Sequence, residues 1–361
     1  MTRLCYCTNV HPAEDLDGIL RQLDTYAVPV REKLGADRLG LGLWLAADVA
    51  AGLAASGTAR RRLRAELDAR GLAVITMNAF PYGGFHADVV KLSVYEPRWT
   101  DPRRLRYTVD CVTVLGDLLP DDVAYGGIST LPLGWREPWT AEDDSAALAS
   151  LASLTRTLRS SPRRIKLAVE PEPGCVLDTV ADTVAWLAPR VDPEYIGLCL
   201  DTCHLAVSFA DPVRTVESIT AAGLEIVKVQ ASAALHVDDP RAARAELAEF
   251  AEPRYLHQVR ELAPDGTVLK ADDLPEALET LPGEGPWRVH FHVPLHASPD
   301  APLRSTNDVL TQVLTTVPGD RTIEVETYTW QVLPDRHRQD LVDGIAAELA
   351  WADGQLTVEV P

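Results

Sequence analysis

Short apolar runs alternate along the chain with longer amphipathic stretches rich in Ala, Leu, Glu and Arg. The apolar runs predict strands at 4–10, 38–45, 72–80, 123–131, 166–172, 196–202, 225–231, 288–295 and 322–329. The amphipathic stretches predict helices over 13–34, 58–70, 102–119, 141–160, 176–189, 211–222, 240–250, 272–281, 305–316 and 336–352. Near-continuous apolar composition is what a strand needs when helices cover both faces of its sheet. The alternation therefore predicts βαβ units and a parallel sheet. No Pro/Ser-rich linker divides the 361 residues, and no Gly-x-Gly-x-x-Gly follows the first strand. Both points favour one (β/α)8 TIM barrel over a dinucleotide-binding fold or two domains. Nine strands are one too many, and the stretch between 231 and 322 is too long for a single connection. The expected architecture is thus one α/β barrel domain over 1–361 with an insertion at about 236–320, before the last strand. The stretches 254–260, 266–271 and 288–295 are assigned to that insertion, which would serve as a lid or a homo-oligomer contact.

Charge narrows the class. The formal net charge of −19 opposes a surface built for nucleic acid or an anionic membrane, both of which need basic residues. No run of 18 uncharged apolar residues exists to span a bilayer, and the start Met1-Thr-Arg-Leu-Cys-Tyr-Cys7 lacks the apolar core of a signal peptide. A cytoplasmic protein is expected. Cys5 and Cys7 lie in a strand-like run, where Cys serves as a small apolar residue rather than as a disulfide or zinc ligand. They and Cys199 read as small buried hydrophobes.

The chemistry gathers at strand ends. Lys166-Leu-Ala-Val-Glu170 and Ile196-Gly-Leu-Cys-Leu-Asp201 are apolar runs that finish on carboxylates, at the end of a barrel strand where ligands bind. Glu225-Ile-Val-Lys-Val-Gln230 finishes on an amide. Thr322-Ile-Glu-Val-Glu326 places Glu324 and Glu326 on one face, and Glu326 is nearer the carboxyl end. If these strands are neighbours, Glu170, Asp201, Gln230 and Glu326 meet at one point. Any one of them alone would most simply be a salt-bridged carboxylate or satisfied amide. Three carboxylates together in a dry pocket need a cation between them, and oxygen donors suit Mn²⁺ or Mg²⁺, with Zn²⁺ or Co²⁺ as alternatives.

Glu170, Asp201-x-x-His204, Gln230 and Glu326 on successive strands resemble the xylose-isomerase-like barrels, which act on small sugars and hydroxy-carbonyl compounds. Gln at the third position resembles the hydroxypyruvate isomerase and inosose dehydratase branch. The resemblance implies that Glu170 and Glu326 are both ligands and acid/base groups, and that His204 holds a substrate oxygen. Six further segments resemble the EboE family of barrel proteins, from gene clusters linked to metabolite traffic: Leu4-Cys-Tyr-Cys-Thr-Asn-Val-His-Pro12, Phe80-Pro-Tyr-Gly-Gly-Phe-His86, Ser129-Thr-Leu-Pro-Leu-Gly-Trp135, Arg254-Tyr-Leu-His-Gln258, Val289-His-Phe-His-Val-Pro294 and Glu324-Val-Glu-Thr-Tyr-Thr-Trp330. That family name describes a gene neighbourhood more than a reaction.

These segments supply rim candidates. Tyr82 and His86 flank a tight Gly83-Gly84 loop and suit a polyhydroxy substrate; a rigid loop with packed aromatics is the plain alternative. Asn9 and His11 end the first strand, where helix capping is an equal reading. Trp135 and Trp330 offer stacking faces but are more often core. His290, His292 and His296 share one parity, and His257 lies nearby in sequence. His292 replaces Gln230 as the third ligand if 288–295 supplies that position. Arg136, Arg254, Arg260 and Arg288 are candidates for a phosphate, and Glu14-Asp15-x-Asp17 reads as a solvated helix start.

The expected function is a metal-dependent isomerase or epimerase of a small sugar, polyol, cyclitol or hydroxy-carbonyl metabolite. A dehydratase with the same ligands and a non-catalytic metabolite carrier are the alternatives. A zinc endonuclease on this fold would need more histidine ligands and a basic face.

Overall fold

Seven parallel strands come first in the chain: β1 (Arg3–Cys7), β2 (Leu39–Trp44), β3 (Leu72–Asn78), β4 (Gly126–Thr130), β5 (Ile165–Val169), β6 (Ile196–Asp201) and β7 (Ile226–Ala231). Five short strands follow: β8 (Leu235–Val237), β9 (Val259–Leu262), β10 (Val268–Ala271), β11 (Trp287–Val289) and β12 (Leu303–Ser305). Then β13 (Thr322–Val325) pairs with both β1 and β7, closing an eight-stranded parallel barrel in the order β1-β13-β7-β6-β5-β4-β3-β2. This computed structural model describes residues 3–319 and 321–356. Met1 and Thr2, the first residues of the stretch read for a signal peptide, lie outside them, as does Asp320 at the end of the expected insertion.

The five short strands form a separate antiparallel sheet, β10-β9-β11-β8-β12. The chain between β7 and β13 thus folds largely as a small sheet of its own. The helix Asn307–Thr316 returns from it to pack against Pro212–Ala221 on the barrel wall. The expected strand 288–295 is short because β11 stops at Val289 and the chain continues over the barrel mouth as irregular backbone. The helix expected over 13–34 is broken by a wide turn at Leu23–Ala27. The helix Ala47–Ala55, rich in Ala and with no polar face, escaped the amphipathic pattern. No helix among the described residues is long and apolar enough to cross a membrane.

One charged layer lies inside the barrel, below the mouth. Lys228 and Glu324 are fully buried and paired, and Lys228 Nζ also donates to Ser129 Oγ at 3.1 Å. Gly42 makes room for them: a Cβ there would overlap the Glu324 carboxylate. All six cysteines are buried and free.

Candidate metal centre

Asp201 shows how local structure aims a site residue. It ends β6 and caps the short helix Thr202–Val207, its Oδ1 accepting from His204 N at 2.9 Å and Ser232 Oγ at 2.8 Å. That cap explains the Asp-x-x-His spacing, because it places His204 one turn on, above the same strand end. Oδ2 has no hydrogen-bond partner although it is buried. Glu170, just past β5, is alike: Oε1 accepts from Gln230 Nε2 at 3.3 Å, and Oε2 has no partner. Glu326 follows β13 and its backbone N–H bonds Ala231 O, which holds the residue level with the end of β7. Its Oε1 accepts from Asn9 Nδ2 at 2.7 Å and Asn78 Nδ2 at 2.9 Å, and its Oε2 from Gln230 Nε2.

Glu170, Asp201 and Glu326 each offer an oxygen within 4.8 Å of the others, all buried. Burial, joined by the Glu326 and Asp201 charges, pushes the Glu170 carboxyl well above its ordinary range. Burial, then Asp201 and Glu324, push Glu326 up to about 8. Two buried unpartnered carboxylate oxygens beside a third carboxylate are costly without a positive charge, and they fit a divalent cation.

Three histidines complete the floor. In each, one ring nitrogen is committed to an oxygen that can only accept, so the tautomer is fixed. His204 Nδ1 donates to Pro171 O at 2.7 Å and His292 Nδ1 to Glu326 O at 2.7 Å. His290 Nδ1 donates to Gln258 Oε1 at 2.6 Å, and the Gln258 amide is oriented because its Nε2 donates to Pro173 O. All three present Nε2 to the cluster, the arrangement by which outer hydrogen bonds prepare an imidazole for a metal. His292 Nε2 is buried and unpartnered, and burial lowers its pKa to about 4. A ring nitrogen of His292 lies within 4.8 Å of donor atoms of Asp201 and His204.

A cavity of about 50 Å³ opens onto this cluster. Glu170, Glu172, His204, His290, His292 and Glu326 form its polar end, and Phe80, Phe85, Val90, Tyr95, Tyr255 and Tyr328 its apolar wall. A few convergent polar groups at one end of an apolar pocket are the usual form of a small-molecule site.

Of the substrate-contact candidates read from the sequence, His204 and His292 line this cavity, and the other four do not. His86 turns its Nε2 to Asn9 O at 2.6 Å. Tyr82 packs edge-on against Tyr107. His257 has both ring nitrogens engaged, with His290 O and Glu252, and so holds the loop that carries His290. Trp330 donates to Glu348 and covers Gly344. Gln230 presents its amide nitrogen to Glu170 and Glu326, while its oxygen accepts from Cys199 Sγ at 3.1 Å. Arg136, Arg260 and Arg288 are engaged by Asp272, Asp178 and Ala206 O, away from the cavity. The sequence reading missed Glu172, Asn78, Tyr95 and Gln258. Only Glu172 carried a signal: it repeats the strand-end spacing in Glu170-Pro-Glu172-Pro.

No family model and no curated protein matches the sequence. Solved structures do match along the whole chain. An L-ribulose 3-epimerase aligns over 99% of this chain and 95% of its own, at 12% identity and TM-score 0.56. A xylose isomerase-like TIM barrel protein from Mycobacterium smegmatis, in complex with magnesium, aligns over 99% and 98%, at 13% identity and TM-score 0.55. The fold is the xylose-isomerase-like (β/α)8 barrel. A probable 3-DHS dehydratase, AsbF, from Bacillus anthracis shares this barrel, with 98% and 99% covered, 13% identity and TM-score 0.51.

Proposed function

We propose that this chain is a metal-dependent isomerase or epimerase of a small sugar, cyclitol or hydroxy-carbonyl metabolite, with Glu170 and Glu326 as the proton-transfer pair. The carrying observation is the buried triad Glu170, Asp201 and Glu326, with Glu170 Oε2 and Asp201 Oδ2 unpartnered and His292 Nε2 bare as well. These four residues would hold the cation. His292 is favoured over Gln230 as fourth donor, since Gln230 would first have to turn its amide over. The carboxylate-dominated set suits Mn²⁺ or Mg²⁺, and the imidazole extends it to Zn²⁺ or Co²⁺. When bound, such a cation polarises a substrate carbonyl and makes the neighbouring C–H more acidic.

The residues then divide the work. Burial favours the protonated form of Glu326, while the Asn9, Asn78 and Gln230 amides favour its charged form. A carboxyl balanced near neutrality is able to take a proton and return it. One glutamate removes a proton from carbon; the other delivers one to the adjacent carbon or the opposite face. His204 holds a substrate oxygen, and the aromatic wall packs against the carbon frame of the substrate. The narrower likeness to EboE proteins rests on the six sequence segments alone.

The test is proton exchange with solvent. Ketoses, inososes and their phosphates are incubated with the protein and Mn²⁺ in D₂O and followed by NMR. The proposal predicts deuterium at a carbon beside the carbonyl with no loss of water, and a rate roughly 10²–10⁴-fold lower in Glu326→Gln. Loss of water would assign a dehydratase. Tight binding of one of these compounds with no exchange would assign a carrier.

A further inference from the structure

Beside the carboxylate triad, His204 and His290 meet in a way their tautomers do not explain. Their Nε2 atoms are 3.1 Å apart. His204 Nδ1–H is spent on Pro171 O and His290 Nδ1–H on Gln258 Oε1, so both Nε2 atoms of the neutral rings bear lone pairs. Two lone pairs do not face each other at that distance unless something positive stands between them. A third donor is aimed at the same point: Glu172 Oε2 lies 3.1 Å from His204 Nε2, while its Oε1 is held by Tyr95 OH at 2.8 Å. The three donor atoms all lie within 4.8 Å of one another and are buried.

We infer that Glu172, His204 and His290 form a second divalent-cation site, distinct from the triad and sharing no residue with its proposed ligand set. The two 3.1 Å separations approach the edge of a tetrahedron drawn about Zn²⁺, about 3.3 Å for bonds of about 2.0–2.1 Å. Two imidazoles and one carboxylate favour Zn²⁺, Co²⁺ or Fe²⁺ over Mg²⁺. The donors come from three places: the segment after β5, the helix capped by Asp201, and the insertion loop after β11. Each has its own outer hydrogen bond, which is how metal sites orient their ligands. Cys203 also lies near His290 and His292, but Glu172 is the third donor because its Oε2 stands 3.1 Å from His204 Nε2. A site with three protein ligands and an open side toward the cavity has the form of a substrate-facing metal site rather than a closed structural one. His204 would then reach substrate through the cation.

The full chain, stripped with chelator, is titrated with Zn²⁺ by calorimetry, with Co²⁺ absorbance as an independent count. Wild type should bind two cations per chain. Glu172→Gln and His290→Gln should each bind one, and so should Asp201→Asn through loss of the triad site. A single cation in wild type that survives Glu172→Gln and His290→Gln overturns the inference, and a proton then bridges the two imidazoles. Two cations that persist in both variants overturn it as well. A single cation lost in His290→Gln and kept in Asp201→Asn upholds this site and removes the one proposed for the triad. The wild-type count stands even if a variant fails to fold, which circular dichroism would reveal.

Discussion

Glu324 and Glu326 are two residues apart, both buried, and they illustrate two ways of keeping a carboxylate out of water. Glu324 lies in the barrel interior, where Lys228 neutralises it and Gly42 leaves it space. Glu326 lies one layer higher, at the mouth, with only neutral amides on its oxygens and two further carboxylates, Glu170 and Asp201, close by. The lower layer is balanced in charge by one Lys–Glu pair, although Glu324 Oε1 itself accepts no hydrogen bond. The upper layer has a deficit of positive charge, and a deficit of this kind in a cavity is what a cation site looks like before its cation is considered.

If the contrast holds, the two layers respond oppositely to substitution. The largest effect belongs to the lower one: Lys228→Met strands a buried carboxylate and should cost roughly 3–5 kcal/mol in urea denaturation. Adding Glu324→Leu to it should recover most of that loss, since an apolar pair of similar volume is often neutral. The same kind of change in the upper layer should not destabilise. Glu326→Gln removes repulsion, so the chelator-stripped protein should melt at the same or a higher temperature, while cation affinity collapses.

pH sharpens the comparison. The Glu326 carboxyl stands at about 8 in the folded chain against an ordinary 4.5. A raised carboxyl favours the folded state when protonated, so that contribution is present below about 4.5 and lost as pH rises through about 8. The stripped protein should therefore lose thermal stability between pH 5 and pH 8, and saturating Mn²⁺ should flatten that slope. The smallest predicted effect is outside the ligands: Asn9→Ala, which removes one donor from Glu326, should weaken cation binding about 10–100-fold with little change in fold.

Much of this was legible in the sequence for a physical reason. A barrel strand buried on both faces must be apolar, so a carboxylate at its end stands out, and Glu170, Asp201 and Glu326 did. The shared parity of His290 and His292 also gave notice, although His296, of the same parity, leaves the mouth to contact Gln339 and Trp330. The insertion was harder to read because its strands are three or four residues long, too short for a period to register. Gln258 and Tyr95 were invisible: they act by hydrogen bonds between segments distant in sequence, and neither carries a local pattern. Tyr82 and Trp330 failed in the other direction, since an aromatic beside a motif packs as readily against a neighbour as into a cavity.

The central claim is that the upper carboxylate layer holds a divalent cation and the lower one does not. Elemental analysis of purified wild type beside Asp201→Ala tests it most directly. The account predicts that the variant carries one divalent metal fewer per chain than wild type. Equal metal content in the two proteins, with no difference in Mn²⁺ or Zn²⁺ binding on addition, would contradict it.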